Sequence, residues 1–441
     1  MAESTALPGV AAGRDGRERA APSSLQAAAS LAILAVAWRN LGRNRKRTAL
    51  TASAVGFASM LLVFAMSMQG GSYGAMVDNA TRLVTGHLQI QDARFADDPK
   101  MRYFLADAEA RVAALEADPR VRAASPRIQA FAVLSGAERS FGGQIMGVDP
   151  ERERHFSLLP EFVGAGRWLS GERGELVLGT ALARNLDVAL GDEVVILGTA
   201  PDGSIAAAVA TLVGLLATGQ PEIDRSLAQM PIGDVREAFL LDDAAHAIVV
   251  TVADVRDADA LAAPLLGIAA GAGGGDAVLR ARPWRELIPE LEQMIELDKA
   301  SAYFFYVLLA LMVTFSITNT FMMTVFERTR EFGTLLAIGC RPGFVIALLQ
   351  VESLLLCGLG VFGGTVLGLA LTGGLMVVGI PLDEMGAELL RQYHMPERLY
   401  PTLSLEAVLS GPLFMLAATQ IAALLPALRL RGLEPVAALR D

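Results

Sequence analysis

Four stretches of this chain are long, apolar and almost free of charge: Thr48 to Met68, Tyr303 to Phe326, Phe344 to Ile380 and Ala407 to Leu428. Only Glu352 interrupts the third. About 20 apolar residues, rising ~1.5 Å each, cross a hydrocarbon core of roughly 30 Å, so each stretch is long enough to span a bilayer. Helices of soluble proteins seldom run so far without charge, because one face of them meets water. The pattern predicts a membrane α-helical protein with four transmembrane helices, at 48–69, 302–326, 344–380 and 406–428. The run 344–380 is about twice the minimum length, so it is either one long helix or a span followed by a re-entrant or second span; one helix is preferred, because two crossings would put the Arg-bearing tail outside.

Ahead of the first span, Leu31, Leu34, Trp38 and Leu41 recur at three- and four-residue steps, followed by Arg43, Asn44, Arg45, Lys46 and Arg47. That spacing predicts an amphipathic helix over 30–47 on the inner membrane surface, its cations suited to anionic headgroups. Residues 1–29, rich in Ala, Gly, Ser and Arg, read as a disordered cytoplasmic tail. Between the first two spans, residues 70–301 mix a helical stretch, Ala106 to Ala117, with β-like runs at Glu175 to Leu178, Glu193 to Leu197, Val209 to Leu216 and Ala247 to Val252. Interleaving of this kind predicts a large α+β extracytoplasmic domain between helices 1 and 2, with mostly short antiparallel strands. Gly267 to Gly275 reads as a flexible loop. Residues 381–405 form a second, shorter loop and 429–441 a tail.

Composition supports the membrane reading: 53% of the residues are hydrophobic and the mean hydropathy is +0.43. Charge gives it an orientation. Residues 1–47 carry eight basic and three acidic groups, whereas 70–301 carry 21 basic and 34 acidic. The positive-inside bias places both termini and the link 327–343 in the cytoplasm and the large domain outside.

The inventory of reactive groups is sparse. The only cysteines are Cys340 and Cys357, so residues 70–301 hold no disulfide. None of the three lysines follows a glycine, which excludes a phosphate-cradling Gly-Lys-Ser/Thr loop. The four histidines are scattered without an HExxH pattern, and no metal site or resident cofactor is expected. A Gly-x-Ser-x-Gly match at Gly70 to Gly74 follows a membrane span, where a nucleophile elbow needs a strand running into a helix. The spans contain Glu352 but no histidine or aspartate, so an intramembrane protease would lack its dyad. The chain is read as non-catalytic.

The informative polar stretch is Glu327 to Gly343, ERTREFGTLLAIGCRPG. Its charges come first, then Phe332, Leu335, Leu336 and Ile338 form an apolar face, and Gly339, Pro342 and Gly343 stop the helix. Such a helix either docks in a groove on a soluble partner or rests on lipid, and composition leaves both open. Glu352, some eight residues into its span, either snorkels to the cytoplasmic face or pairs with Arg341. Gly360, Gly364 and Gly368, four apart, provide the small-residue face that lets membrane helices approach, unless they are incidental in a chain with 43 glycines.

Several stretches resemble one family. AWRNLGRNRKRTALT (Ala37 to Thr51), TRLVTGHLQIQD (Thr81 to Asp92), GRWLSGERGELVLGTALARNLDVALGDEVVILG (Gly166 to Gly198), TGQPEIDRSLAQMPIGDV (Thr218 to Val235), ERTREFGTLLAIGC with Glu352, and PALRLRGLEPVAALR (Pro426 to Arg440) are together similar to the FtsX-like and MacB-like permeases of ABC transporters, in their lipoprotein-releasing branch. The resemblance covers nearly the whole chain from Ala37. It implies a permease in the bacterial inner membrane, paired with a second permease, identical or paralogous, and gripping a separate ABC ATPase in two copies. ATP and magnesium would sit on that ATPase. Glu327, Arg328, Arg330, Glu331, Phe332, Gly333, Leu335, Leu336 and Gly339 would make the coupling helix. Pro221, Glu222, Asp224, Leu227 and Met230 would lie in a region handling a periplasmic carrier or substrate protein. Membrane lipid, and no nucleic acid, is the expected surrounding. The implied action is mechanotransmission that releases lipoproteins or exports amphipathic cargo from the outer face; the alternative is a transducer that regulates a periplasmic cell-wall hydrolase.

Overall fold

The computed structural model describes residues 23–43, 45–275, 277–381 and 398–429. Two compact units emerge, one drawn from Met1–Val63, Tyr306–Ala370 and Leu405–Asp441, the other from Phe64–Phe305 and Leu371–Ser404. Among the described residues four helices are long and apolar enough to cross a membrane. Span 1 is Arg45–Ala80, span 2 Pro289–Glu327, span 3 Pro342–Val378 and span 4 Leu405–Leu428. A lead helix, Ser23–Arg43, precedes span 1, and a link helix, Thr329–Ala337, joins spans 2 and 3.

In the first unit, Leu41 of the lead helix and residues such as Leu62, Phe321, Cys357 and Met415 of the four spans close one apolar core. Other large side chains on the same helices stay exposed, Phe315, Phe362 and Ile421 among them, as suits helices bathed in lipid. The glycines of span 3 set its approach to span 1. A Cβ on Gly364 would lie 2.0 Å from the Gly56 carbonyl oxygen, and one on Gly360 would lie 2.6 Å from that of Ala52. Gly368 packs against Val63 and Met60.

The helix ends differ from the sequence-based boundaries for identifiable reasons. Residues 23–29, expected as disordered tail, are helical, because the Ala- and Leu-rich run from Ser23 favours helix; residues 1–22 lie outside the described residues. The lead helix stops at Arg43, so Arg45, Lys46 and Arg47 open span 1. On the lead helix Leu34 and Trp38 are exposed while Ala37 and Leu41 are buried. Spans 1 and 2 continue past 69 and begin before 302, because the extra turns have apolar partners of their own: Val77, Leu291 and Ile295 enter a core of the second unit. The Gly70 to Gly74 match therefore sits within a helix. Span 3 is unbroken and ends where Gly379 turns to φ +68°. Of the expected loop 381–405, residues 382–397 lie outside the described residues, as do 430–441 of the tail.

The second unit is α+β. Its main sheet has ten strands among the described residues: β1 Leu88–Asp92, β2 Val121–Ser135, β3 Ser140–Val148, β4 Val163–Gly166, β5 Glu175–Gly179, β6 Glu193–Thr199, β7 Ile205–Leu216, β8 Leu227–Pro231, β9 Ala247–Val252 and β10 Leu279–Pro283. The order is β10-β1-β9-β2-β3-β8-β5-β7-β4, with β6 pairing β2 and β7. Most pairs are antiparallel, but β3 with β8 and β5 with β7 run parallel. The first half of β2 pairs β9 and its second half pairs β3, so two lobes share one strand. Each lobe has its own core, Ile90, Val112 and Ile248 in one, Leu134, Leu178 and Ile196 in the other. The stretch 267–275 is not wholly a loop: Gly267 and Gly271 belong to the helix Ala258–Gly271, held down by buried Leu265 and Ala269.

Candidate functional site

The link helix is tied into the first unit at both ends. Arg328, outside helical geometry, keeps the chain continuous: its amide donates to the Thr324 carbonyl (3.2 Å) and its carbonyl accepts from the Phe332 amide (3.0 Å). At the far end Gly339 takes φ +102°, a conformation that favours glycine, while the Gly339 and Cys340 amides donate to Leu336 and Leu335.

Arg328 is the hub of a charged frame. Its Nη1 donates to Glu352 Oε2 at 3.0 Å and its Nε to Glu331 Oε2 at 2.9 Å. The guanidinium lies 5.0 Å from the centroid of the Phe332 ring. Arg43 of the lead helix donates to Glu331 Oε1 at 2.7 Å, Arg47 of span 1 to Glu327 Oε2 at 2.6 Å, and Asn40 Nδ2 to Glu352 Oε2 at 3.3 Å. Arginines and glutamates thus alternate across the lead helix, the start of span 1, the end of span 2, the link helix and span 3. Partial burial pushes the Glu331 carboxyl upward, but the hydrogen bonds from Arg328 and Arg43 outweigh it and hold that carboxyl below the usual glutamate value.

Glu352 therefore pairs with Arg328 and Asn40, where the sequence offered snorkelling or a pair with Arg341. Arg341 immediately precedes span 3, eleven residues or about 16 Å of helix from Glu352, too far for its side chain to reach. The link helix also presents a different face from the expected one. Phe332 is fully buried, and with Leu335 and Leu336 it packs on Val325, Val345, Leu349 and Ala427. Gly333 is buried as well. The apolar face fills a groove in its own bundle, leaving Arg330, Thr334 and Ile338 outward, Ile338 at 77% exposure.

In the second unit, Pro221 and Glu222 are exposed on the short helix Pro221–Ser226, and Asp224 Oδ1 accepts from the Thr218 amide and hydroxyl. Leu227 and Met230 are in the core, because β8 lies between β3 and β5 and is buried on both faces. Neither of these two presents a surface to a partner. Sequence reasoning missed the uncovered face nearby: Phe131 and Val133 of β2, Val195 and Leu197 of β6, and Ile205 and Val209 of β7 are exposed, with Val133 paired to Leu197 and Val195 to Val209. The signal was present, since runs such as EVVIL in β6 are apolar at consecutive positions although one face is unburied.

Four helices long and apolar enough to cross a membrane, a braced link helix and a large α+β insertion after span 1 are the architecture of a polytopic membrane protein. The chain is a member of the FtsX-like, MacB-like permeases of ABC transporters: residues 303–435 match the FtsX-like permease C-terminal domain and residues 48–267 the MacB-like periplasmic core domain. Among curated relatives, the lipoprotein-releasing system transmembrane protein LolC of Neisseria meningitidis serogroup B is 27% identical over 331 residues, 73% of this chain and 78% of that protein. The protein LolE of the same system in Haemophilus influenzae is 24% identical over 356 residues, 76% of this chain and 82% of its own length. The periplasmic region of MacB from Actinobacillus actinomycetemcomitans aligns at 14% identity with a TM-score of 0.33, covering 47% of this chain and 92% of that one.

Proposed function

We propose that this permease works by mechanotransmission in the release of lipoproteins from the outer face of a bacterial inner membrane. Both termini, the lead helix and the link helix are cytoplasmic in this reading, and the α+β domain is periplasmic, in keeping with the charge asymmetry along the chain. The observation that carries it is the frame around Arg328. A link helix bonded to the lead helix, span 1 and span 3 moves only with them, so a push on its outward face displaces the bundle as a body. A separate ATPase that binds ATP and magnesium supplies the push, in two copies beneath two permeases. The uncovered apolar face of β2, β6 and β7 suits amphipathic cargo or a carrier that receives it.

Docking falls to the outward residues, and the test follows from that. Arg330→Glu combined with Ile338→Arg should abolish co-purification of the ATPase subunit while membrane insertion and thermal stability stay unchanged; undiminished recovery overturns the docking assignment. Glu331 is unsuited to this test because it braces the chain internally. Depletion of the protein should leave lipoproteins in the inner membrane, measured by fractionation. Correct sorting after depletion removes the cargo assignment, and a co-purifying cell-wall hydrolase would replace it.

A further inference from the structure

The helical run of span 1, whose residues from Phe64 onward belong to the second unit, ends in a turn of π-helix, Thr81–Thr85. Its side chains go to different places: Val77 enters the core of one lobe, and Leu83 enters a cluster with Met146, Val148 and Leu159. Directly against this turn lies a buried ion pair. The Arg127 and Glu153 side chains are 1% and 0% exposed, and Arg127 Nη2 donates to Glu153 Oε1. Arg127 Nη1 donates to the Val84 carbonyl inside the π turn, and the guanidinium stacks 5.4 Å from the centroid of Phe156. The same turn is held again by Arg82, whose Nε donates to the Phe156 carbonyl (3.1 Å) and whose carbonyl accepts from the Leu158 amide (3.0 Å).

The position of Arg127 on its strand is the second observation. Arg127 is the residue of β2 paired with Ala247 of β9, and the next residue, Ile128, begins the pairing with β3. The pair therefore sits on the seam where the two lobes part. Stability does not account for it: a buried ion pair is often no better than apolar residues of the same volume, because desolvation offsets the attraction. Here Arg127 Nε and Glu153 Oε2 have no hydrogen-bond partner, and burial lifts the Glu153 carboxyl above its usual value in spite of the arginine. What the pair does provide is direction, since a planar guanidinium fork fixes the angle between two acceptors, one in the π turn and one on the helix Pro150–Phe156.

We propose that Arg127 and Glu153 form a buried charged joint by which span 1 grips both lobes of the domain at their seam, so that displacement of the span carries the lobes together. The role rests on the mechanotransmission reading above. Two variants of the full-length chain test it, E153Q and the apolar replacement R127M/E153L, which serves should E153Q fail to accumulate. Amide exchange in lipid nanodiscs should accelerate about tenfold at Gly86, whose amide is bonded to Thr81, and at Leu158, with the amides of β5 unchanged. Lipoprotein release in cells should fall several-fold at equal protein level, with the ATPase still co-purifying. Equal acceleration in β5 would show a merely structural pair and overturn the proposal. Unchanged exchange at Gly86 and Leu158, or local acceleration with undiminished release, would overturn it as well. A wild-type chain that releases no lipoprotein overturns the functional reading instead, and the exchange result stands apart from that outcome.

Discussion

Arg328 shows how much a single side chain organises. It satisfies Glu352 within the membrane bundle, Glu331 on its own link and the face of Phe332. Arg328→Gln strips Glu352 of its cationic partner and leaves it Asn40, and removing one member of a largely buried pair destabilises by about 3 kcal/mol. Thermal unfolding in detergent should show that loss, and the double replacement R328M/E352M should recover most of it; full stability in Arg328→Gln would contradict the hub. The sequence drew attention to Glu352 because a lone carboxylate in an apolar run is conspicuous. Its partner was illegible, because Arg328 returns to it through a change of direction that residue spacing does not encode.

At the scale of elements, the spans were legible and their outward faces were not. Apolar length marks a membrane helix, whereas Phe332, Leu335 and Leu336 make the same stripe whether they fill a groove on another molecule or in their own bundle. The glycine spacing of span 3 left packing and chance open, and the contacts with Gly56 decide for packing. Gly364→Ala forces a methyl into the Gly56 carbonyl and should destabilise the bundle by about 2 kcal/mol. Gly363→Ala, with nothing within 4 Å of its added carbon, should stay within about 0.5 kcal/mol of wild type. Equal melting temperatures for the two variants would refute the close approach. The helix Ala258–Gly271 teaches the complementary lesson, since glycine content argued for a loop and buried Leu265 and Ala269 made a helix.

For the molecule as a whole, acid is the informative stress. His246 lies in the strand-pairing region of the seam, stacked on Phe95 at 4.7 Å. Its Nδ1 accepts from the Gln129 amide (3.2 Å), which leaves the proton on Nε2, facing the Met101 carbonyl (3.1 Å). Burial pushes its pKa down to about 4, the Met101 contact opposing. Because the unfolded chain takes up this proton first, the contribution is complete above the ordinary value of 6.5 and is lost as pH falls toward 4. Denaturation between pH 7 and 4 should show a decline of roughly 3 kcal/mol from this residue. His246→Gln should flatten that limb, and an unaltered slope would remove His246 as its source. None of this was visible in the sequence, which showed four scattered histidines and no reason to single one out.

The strand order carries a consequence for biosynthesis. β1 is among the first segments of the domain to be made, yet both of its neighbours, β9 and β10, come from Ala247 onward. Its main-chain donors and acceptors have no ladder to join until nearly the whole insertion has been synthesised. Pairings so distant in sequence form slowly, and unpaired strands attract other chains while they wait. The order of synthesis and the order of folding therefore diverge in this protein, and β1 stays unpaired until β9 and β10 have been made.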